Sequence, residues 1–143
     1  MKKSLLFLSL SLLFLGCSKD DNGRNNNPYL VDLNFAFRVN LNLPQYNQLN
    51  YPGNSMSLYT HGIKGIVIYN LNNTQYLAFE LTDPNHPPSD CSRLEVNGTE
   101  ATCGCDDGNM YTIITGQQIE GEGQYSLKPY RIVRVGDVLE ISN

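Results

Sequence analysis

The chain has 143 residues, with ten lysines and arginines against fourteen aspartates and glutamates, so its formal net charge is −4 at neutral pH. An acidic chain without a basic stripe argues against nucleic acid as a partner. The length allows one ordinary domain with its own core.

The first 16 residues have the pattern of an export signal. A basic start, Met1-Lys2-Lys3, precedes an apolar run from Leu5 to Leu15 that only two serines interrupt. About 11 residues are far fewer than the roughly 20 that a membrane-spanning helix requires. Residues 1–16 are therefore predicted to be a cleaved signal peptide. Cleavage leaves 143 − 16 = 127 residues and, without two lysines, a formal charge of −4 − 2 = −6.

The segment Phe14-Leu15-Gly16-Cys17 resembles a bacterial lipobox, in which the cysteine is diacylated and becomes the mature N-terminus. Two acyl chains anchor a protein stably to a membrane. We therefore expect an outer-membrane lipoprotein that is anchored through Cys17. An ordinary signal peptide that contains Cys17 by chance is the alternative.

The residues that follow are polar. Ser18-Lys19-Asp20-Asp21 resembles the acidic signal that sends some Gram-negative lipoproteins to the cell surface, and a periplasm-facing acidic tether is the alternative. The Asn-rich run 23–27 offers no apolar side chain to bury. Residues 17–28 are predicted to be the acylated cysteine and a flexible tether, and residues 29–143 a single domain of roughly 110 residues.

Short runs with strand character recur along this domain at intervals of about ten residues. Residues 31–39 alternate apolar and polar side chains, which predicts a half-buried strand. Tyr51-Pro52-Gly53-Asn54 predicts a turn, and Asn97-Gly98 predicts a hairpin with a type I′ turn. No segment has a long helical period, so the fold class is all-β. The later predicted strands are 65–69, 75–81, 93–96, 100–103, 110–114, 130–135 and 138–141.

The sequence reads Asp83-Pro84-Asn85-His86 and then Cys91 before the Asn97-Gly98 hairpin, and Cys103-Gly104-Cys105-Asp106 after it. That layout resembles the two cluster-binding loops of Rieske iron–sulfur proteins. Their first loop carries Cys-x-His and a further Cys, and their second carries Cys-x-Cys-His or Cys-x-x-His. The resemblance covers about residues 62–143. It implies a Rieske-like antiparallel β-sandwich or barrel with a small loop subdomain at 83–109.

The ligand set that the resemblance implies is largely missing. If Asp83 takes the place of the first cysteine, Asn85 stands at the histidine position; if His86 is the ligand, Pro84 stands at the cysteine position. In the second loop Cys103 keeps its place, and Asp106 replaces the histidine. We therefore expect no cofactor, with a 2Fe-2S cluster in an electron-transfer protein as the alternative.

The remaining cysteines have a second interpretation, because exported thiols tend to pair in an oxidising compartment. The resemblance implies a disulfide between Cys91 and Cys105, which in one branch of the family clamps the loops together. Cys103 is then a single buried thiol. The pairing of Cys91 with Cys103 stays open at this level.

A new metal site is a further alternative, because Asp83, His86, Cys103 and Asp106 could converge on Zn²⁺, with His86 and Cys103 as its core ligands. Ordinary turn chemistry explains the same acidic residues and is favoured. The sequence has no Gly-x-Ser-x-Gly motif and no phosphate-binding loop, so we expect no enzyme. The expected function is that of a cluster-free binding or structural accessory module. Its expected partners are the membrane, through the lipid anchor, and a protein in the cell envelope.

Overall fold

The computed structural model describes residues 27–143, which form ten strands in antiparallel sheets and one short 3₁₀ helix, Pro44–Asn50. The predicted all-β fold is confirmed. The strands are β1 Ala36–Asn40, β2 Ser55–Leu58, β3 Ile66–Asn70, β4 Tyr76–Glu80, β5 Leu94–Asn97, β6 Glu100–Cys103, β7 Met110–Thr112, β8 Gln118–Glu120, β9 Arg131–Val135 and β10 Val138–Ser142.

Residues 27–143 form three sheets, with the strand orders β1-β10-β9, β2-β3-β4 and β5-β6-β7-β8. The first two are joined where β4 approaches the start of β9, through hydrogen bonds from the Glu80 amide to the Lys128 carbonyl (2.9 Å) and from the Tyr130 amide to the Ala78 carbonyl (2.8 Å). The third sheet is attached at the end of β4, where the Leu94 amide donates to the Leu81 carbonyl at 2.7 Å.

Strand β3 is central, because all five of its residues are buried. Successive side chains of a strand point to opposite faces. Ile66 and Ile68 accordingly pack into the core between the first two sheets, whereas Val67 and Tyr69 pack into the core under the third sheet. A strand buried on both faces reads as a continuous apolar run, which is how residues 65–69 read in the sequence.

Two loops cross the same end of the third sheet. Loop one is defined here as residues 83–92 and loop two as residues 103–109, and together they form the loop pair. The sheet that carries them continues through β7 and β8 to Glu120, so the small subdomain extends beyond the predicted range 83–109.

The predicted strand 31–39 begins only at Ala36. Strand β10 ends at Ser142, which pairs with Ala36, so the preceding residues have no strand opposite them. Val31 is accordingly 61% exposed despite its place in the alternating pattern.

No pattern in the sequence predicted the 3₁₀ helix Pro44–Asn50 or the strands β2 and β8. A 3₁₀ helix of seven residues is too short to show a helical period, and strands of three or four residues are too short to show alternation.

Between residues 27 and 143 no helix combines the length and the apolar character needed to cross a bilayer.

The hairpin between β5 and β6 forms as predicted, but its turn is not of type I′. Asn97 pairs with Glu100, so Gly98 and Thr99 are the central residues. Only Gly98 has a positive φ, of 62°. A type I′ turn needs a positive φ at both central positions, whereas a type II′ turn needs it at the first alone.

The predicted signal peptide, the acylated Cys17 and most of the tether lie outside the described residues. Asn27, predicted to belong to the tether, is buried against loop one. Its side-chain amide donates to the Pro84 carbonyl at 2.6 Å, and its Oδ1 accepts from the Tyr29 amide at 2.8 Å. Residue 27 is therefore already bound to the domain surface.

Candidate functional site

A disulfide joins the loop pair. Cys91 of loop one is bonded to Cys105 of loop two, with their Cα atoms 4.9 Å apart, which is the pairing that the resemblance implies. Cys103 is left as a free, buried thiol. The backbones approach so closely here that a Cβ on Gly104 would lie 2.7 Å from the Cys91 carbonyl oxygen. Glycine at 104 therefore permits the approach.

Asp83 opens loop one and is completely buried, with 0% exposure. Its Oδ1 accepts hydrogen bonds from the Asn85 amide (2.7 Å) and from the Tyr111 hydroxyl (2.8 Å). Its Oδ2 accepts from the Asn109 side-chain amide (3.0 Å). In the alignment that puts Asp83 at the first cysteine position, the chain thus has a carboxylate that is already held by three donors.

Asn85 stands at the histidine position in the same alignment, and its side chain binds other parts of the chain. The amide nitrogen donates to the Tyr111 hydroxyl (2.8 Å) and to the Tyr125 carbonyl (2.9 Å). The amide oxygen accepts from the backbone amides of Gln124 (3.0 Å) and Tyr125 (2.9 Å). Asn85 therefore fastens loop one to the segment before β9 and does not face the tip of the loop pair.

His86 faces loop two. Its Nε2 lies 3.4 Å from the Cys103 Sγ, 3.2 Å from the Asp107 Oδ2 and 3.7 Å from the Asp83 Oδ2. Its Nδ1 lies 3.0 Å from the Pro87 carbonyl oxygen, which can only accept. The Nδ1 therefore carries a proton, and the Nε2 is the nitrogen directed at the thiol and the two carboxylates.

Burial raises the pKa of the Cys103 thiol to about 12, and the nearby carboxylates of Asp83 and Asp107 act in the same direction. The amide of Cys105, which donates to the Cys103 Sγ at 3.4 Å, acts against them. The thiol is therefore protonated at neutral pH in the metal-free protein and is a poor nucleophile in that state.

Three of the four predicted ligand positions meet, namely Asp83, His86 and Cys103. Asp106 is exposed and outside this group, and Asp107 occupies the place expected for it. The cause is the turn of loop two, where the Asn109 amide donates to the Asp107 Oδ1 at 3.0 Å and leaves the other oxygen towards His86. The Asp-Gly-Asn turn signal was visible in the sequence, but its direction depends on loop one.

The loop pair does not supply the donors of a Rieske centre, which needs two thiolates and two imidazoles. It offers one free thiol, Cys103, and one imidazole, His86. The other histidine of the chain, His61, stacks on Phe37 of β1 with ring centroids 3.9 Å apart, away from the loop pair. The residues present therefore do not fit a cluster of that kind.

A separate groove of about 600 Å³ runs over the sheet β1-β10-β9. It contains the ion pair between Arg38 and Glu140 (2.7 Å) and shares no residue with the loop pair. None of its lining residues forms a cluster of metal-binding or nucleophilic side chains.

No family model matches the chain, and no curated protein matches it. Among solved structures, the chain is similar to a complex of reduced oxygenase and oxidized ferredoxin in carbazole 1,9a-dioxygenase, with 18% identity over 64% of this chain and 82% of the other, at a TM-score of 0.45. It is also similar to a ferredoxin of Sphingomonas yanoikuyae B1, with 17% identity over 65% and 88% of the chains and a TM-score of 0.45.

A third similar structure is a putative NADH-dependent nitrite reductase small subunit from Mycobacterium tuberculosis, with 15% identity over 78% of this chain and 97% of the other, at a TM-score of 0.42. Similarity of this extent assigns neither a cofactor nor an activity to the chain.

Proposed function

We propose that the chain is a cell-envelope lipoprotein whose Rieske-like β domain serves as a binding or structural accessory module without an iron–sulfur cluster. The observation that carries this proposal is Asp83. It stands at the first cysteine position in one of the two alignments with the resembling family, is fully buried, and is bound by Tyr111, Asn109 and the Asn85 amide.

The chemistry of a carboxylate supports the absence of a cluster. Sulfide-bridged iron favours soft thiolate and imidazole donors, and a carboxylate is a hard donor. Asp83 would therefore offer iron one hard oxygen in place of a thiolate sulfur.

The loop pair is closed by bonds within the protein. The Cys91–Cys105 disulfide spans a sequence separation of 14 residues. Closing a loop of that length contributes about 3 kcal/mol in the chain-entropy model. The side chains of Asn85 and Asp83 add hydrogen bonds to the segments on both sides. These bonds supply the rigidity that a cluster would otherwise give to the two loops.

A binding or structural role suits the chemistry of the site better than catalysis. The free thiol, Cys103, is held neutral by burial and by the neighbouring carboxylates. An activated thiol nucleophile needs the opposite environment, with positive charge and partial exposure. The proposed attachments are the membrane, through the lipid on Cys17, and a protein partner in the cell envelope.

The anchoring part of the proposal is tested by Cys17→Ser. Loss of both acyl chains should move the protein from the detergent phase to the aqueous phase, or leave the precursor uncleaved. Replacing Lys19, Asp20 and Asp21 by alanine should change surface labelling and leave anchoring intact. Fully processed Cys17→Ser protein that still partitions into detergent would contradict the lipoprotein assignment.

The cluster-free part is tested by anaerobic reconstitution with iron and sulfide, with a Rieske ferredoxin that has all four ligands treated in parallel. The parallel sample should become coloured, and this protein should stay colourless after desalting. A stable brown product with two irons per chain would overturn the proposal and favour electron transfer instead.

A further inference from the structure

Beyond closing the loops, the chain places one thiol and two carboxylates within 3.2–3.7 Å of a single imidazole nitrogen. We propose that His86 Nε2, Cys103 Sγ, Asp107 Oδ2 and Asp83 Oδ2 form a binding site for a single Zn²⁺-like divalent cation. This inference rests on the cluster-free loop pair proposed above, and it assigns a ligand class to that pair.

The distances from the His86 Nε2 to the other three donors agree with a tetrahedral site. With Zn–N near 2.0–2.1 Å, Zn–O near 2.0–2.2 Å and Zn–S near 2.3 Å, tetrahedral angles place nitrogen about 3.6 Å from sulfur and about 3.4 Å from oxygen. The Nε2 of His86 lies 3.4 Å from the Cys103 Sγ, and 3.2 and 3.7 Å from the oxygens of Asp107 and Asp83. Binding therefore needs shifts of only a few tenths of an ångström along these edges.

The imidazole of His86 is oriented as a metal ligand usually is. Its Nδ1 is fixed by the Pro87 carbonyl at 3.0 Å. Such a bond on the remote nitrogen sets the tautomer and leaves the other lone pair free for the metal. Here that lone pair is directed at a thiol and two carboxylates. In the ionised forms that bind a cation, none of these three groups can donate a hydrogen bond to the nitrogen.

Asp83 has capacity left for a cation. An ionised carboxylate offers about four lone-pair sites. Three are used by Asn85, Tyr111 and Asn109, and the bond from Asn109 is the only one of these on Oδ2. The free lone-pair site is therefore on Oδ2, which is the oxygen that lies 3.7 Å from the His86 Nε2.

The sulfur of Cys105 also lies close to three of these donors, since the donor atoms of His86, Cys103, Cys105 and Asp107 are all within 4.8 Å of one another. Cys105 is bonded to Cys91, so its sulfur is no thiolate and Cys103 is the sulfur ligand. On binding, the S–H bond of Cys103 breaks, its proton passes to water, and the sulfur electron pair forms the bond to the metal.

A cation would also balance the charge of the site. One thiolate and two carboxylates give −3 around a neutral imidazole, and Zn²⁺ reduces this to −1. Without a metal, a protonated His86 could instead pair with Asp83 and Asp107 as an imidazolium. Variants of the proposed ligands distinguish the two cases, because they change the metal affinity only if the site binds a metal.

The test is a Co²⁺ titration of the full chain carrying Cys17→Ser, in which Cys103 is the single free thiol once the disulfide has formed. We expect one metal per chain, release of about one proton from the thiol, and a thiolate-to-cobalt charge-transfer band that Zn²⁺ abolishes. His86→Gln and Cys103→Ser should each weaken binding by at least about 100-fold, and the more exposed Asp107→Asn by about 10-fold.

Matched controls are available within the chain. His61→Gln and Asp106→Asn remove the same groups outside the site and should leave affinity and stoichiometry unchanged. His86 and Asp107 are partly exposed, so their variants are expected to fold. Absence of the charge-transfer band, or equal affinity in His86→Gln and His61→Gln, would overturn the proposed site. A protein that takes neither cobalt nor a cluster would overturn this inference alone, whereas a 2Fe-2S product would overturn the proposed function.

Discussion

Two carboxylates, three residues apart at the end of β4, are both completely buried, yet their surroundings differ. Glu80 lies in the scaffold and Asp83 in the loop pair, and each accepts a hydrogen bond from a buried tyrosine. Tyr130 donates to Glu80 at 2.6 Å, and Tyr111 donates to Asp83 at 2.8 Å. The other groups around each carboxylate differ, and they distinguish Glu80 as a structural carboxylate from Asp83 as a candidate ligand.

Glu80 is saturated. Besides Tyr130, it accepts from the backbone amides of Ile63 (2.8 Å), Lys64 (2.9 Å) and Thr82 (3.0 Å), and from the Thr82 hydroxyl (2.7 Å). Five donors fill about four lone-pair sites, so nothing further can bind. Asp83 has three donors and lies beside a thiol and an imidazole. Burial of a carboxylate is therefore not evidence of a function by itself. The number of hydrogen-bond donors that already contact the carboxylate is more informative.

The largest effect should follow from breaking the Glu80 network. Glu80→Gln keeps the shape of the side chain but turns a donor towards groups that donate, leaving buried amides unpaired. We expect a loss of about 4 kcal/mol in the free energy of unfolding, measured by urea denaturation. Glu140→Gln, in an exposed ion pair, is the control and should cost less than about 1 kcal/mol. Equal losses would show that the Glu80 network does not hold the scaffold.

Removal of the disulfide tests what closes the loop pair. Cys91→Ala and Cys105→Ala should each lower the free energy of unfolding by about 3 kcal/mol. The double variant should lose about the same amount, because each single change already breaks the one bond. Hydrogen exchange should rise in residues 83–109 while the sheet β1-β10-β9 stays protected. Additive losses in the double variant would contradict this account.

Asp83→Asn sharpens the comparison with Glu80. The asparagine can still accept from Tyr111 and from the Asn85 amide, and only the bond from Asn109 is replaced by a contact between two amides. We expect a loss of about 2 kcal/mol, half of that for Glu80→Gln. Urea denaturation of both variants in one buffer checks this order, and a larger loss for Asp83→Asn would reverse the roles given to the two carboxylates.

The two tyrosines should give the smallest effect, together with a pH dependence of defined sign. Burial raises the pKa of Tyr111 and of Tyr130 above the usual value, and the carboxylate beside each acts in the same direction. The unfolded chain therefore loses these protons first, near pH 10, and the stability they contribute falls as the pH rises above that value.

Tyr111→Phe and Tyr130→Phe should each cost about 1.5 kcal/mol at pH 7. Because the contribution of each hydroxyl falls above pH 10, this cost should shrink in alkaline solution. Urea denaturation at pH 7 and at pH 10.5 measures the difference. A cost that grows with pH would contradict the assigned shifts.

The sequence predicted the elements that depend on local patterns. The strand period explains the alternation near Ala36 and the apolar run of β3, and a turn preference explains the Gly98 hairpin. The convergence of His86 with Cys103 was part of the metal-site alternative, which the sequence did not favour. The choice of Asp107 over Asp106 was not predictable, because it depends on the direction in which loop two turns against loop one.

Glu80 shows the same limit from the opposite side. It follows Phe79 at the end of a predicted strand, where a glutamate ordinarily faces solvent. Its burial depends on the backbone at residues 63 and 64 and on Tyr130, which lies 50 positions further along the chain. No local pattern contains that information.

The most direct test of the cluster-free loop pair is the iron and acid-labile sulfide content of the protein, isolated from cells under anaerobic conditions, together with its visible spectrum. We predict no stoichiometric iron, no labile sulfide and no visible absorption band. Two irons and two sulfides per chain with a visible band would contradict the account.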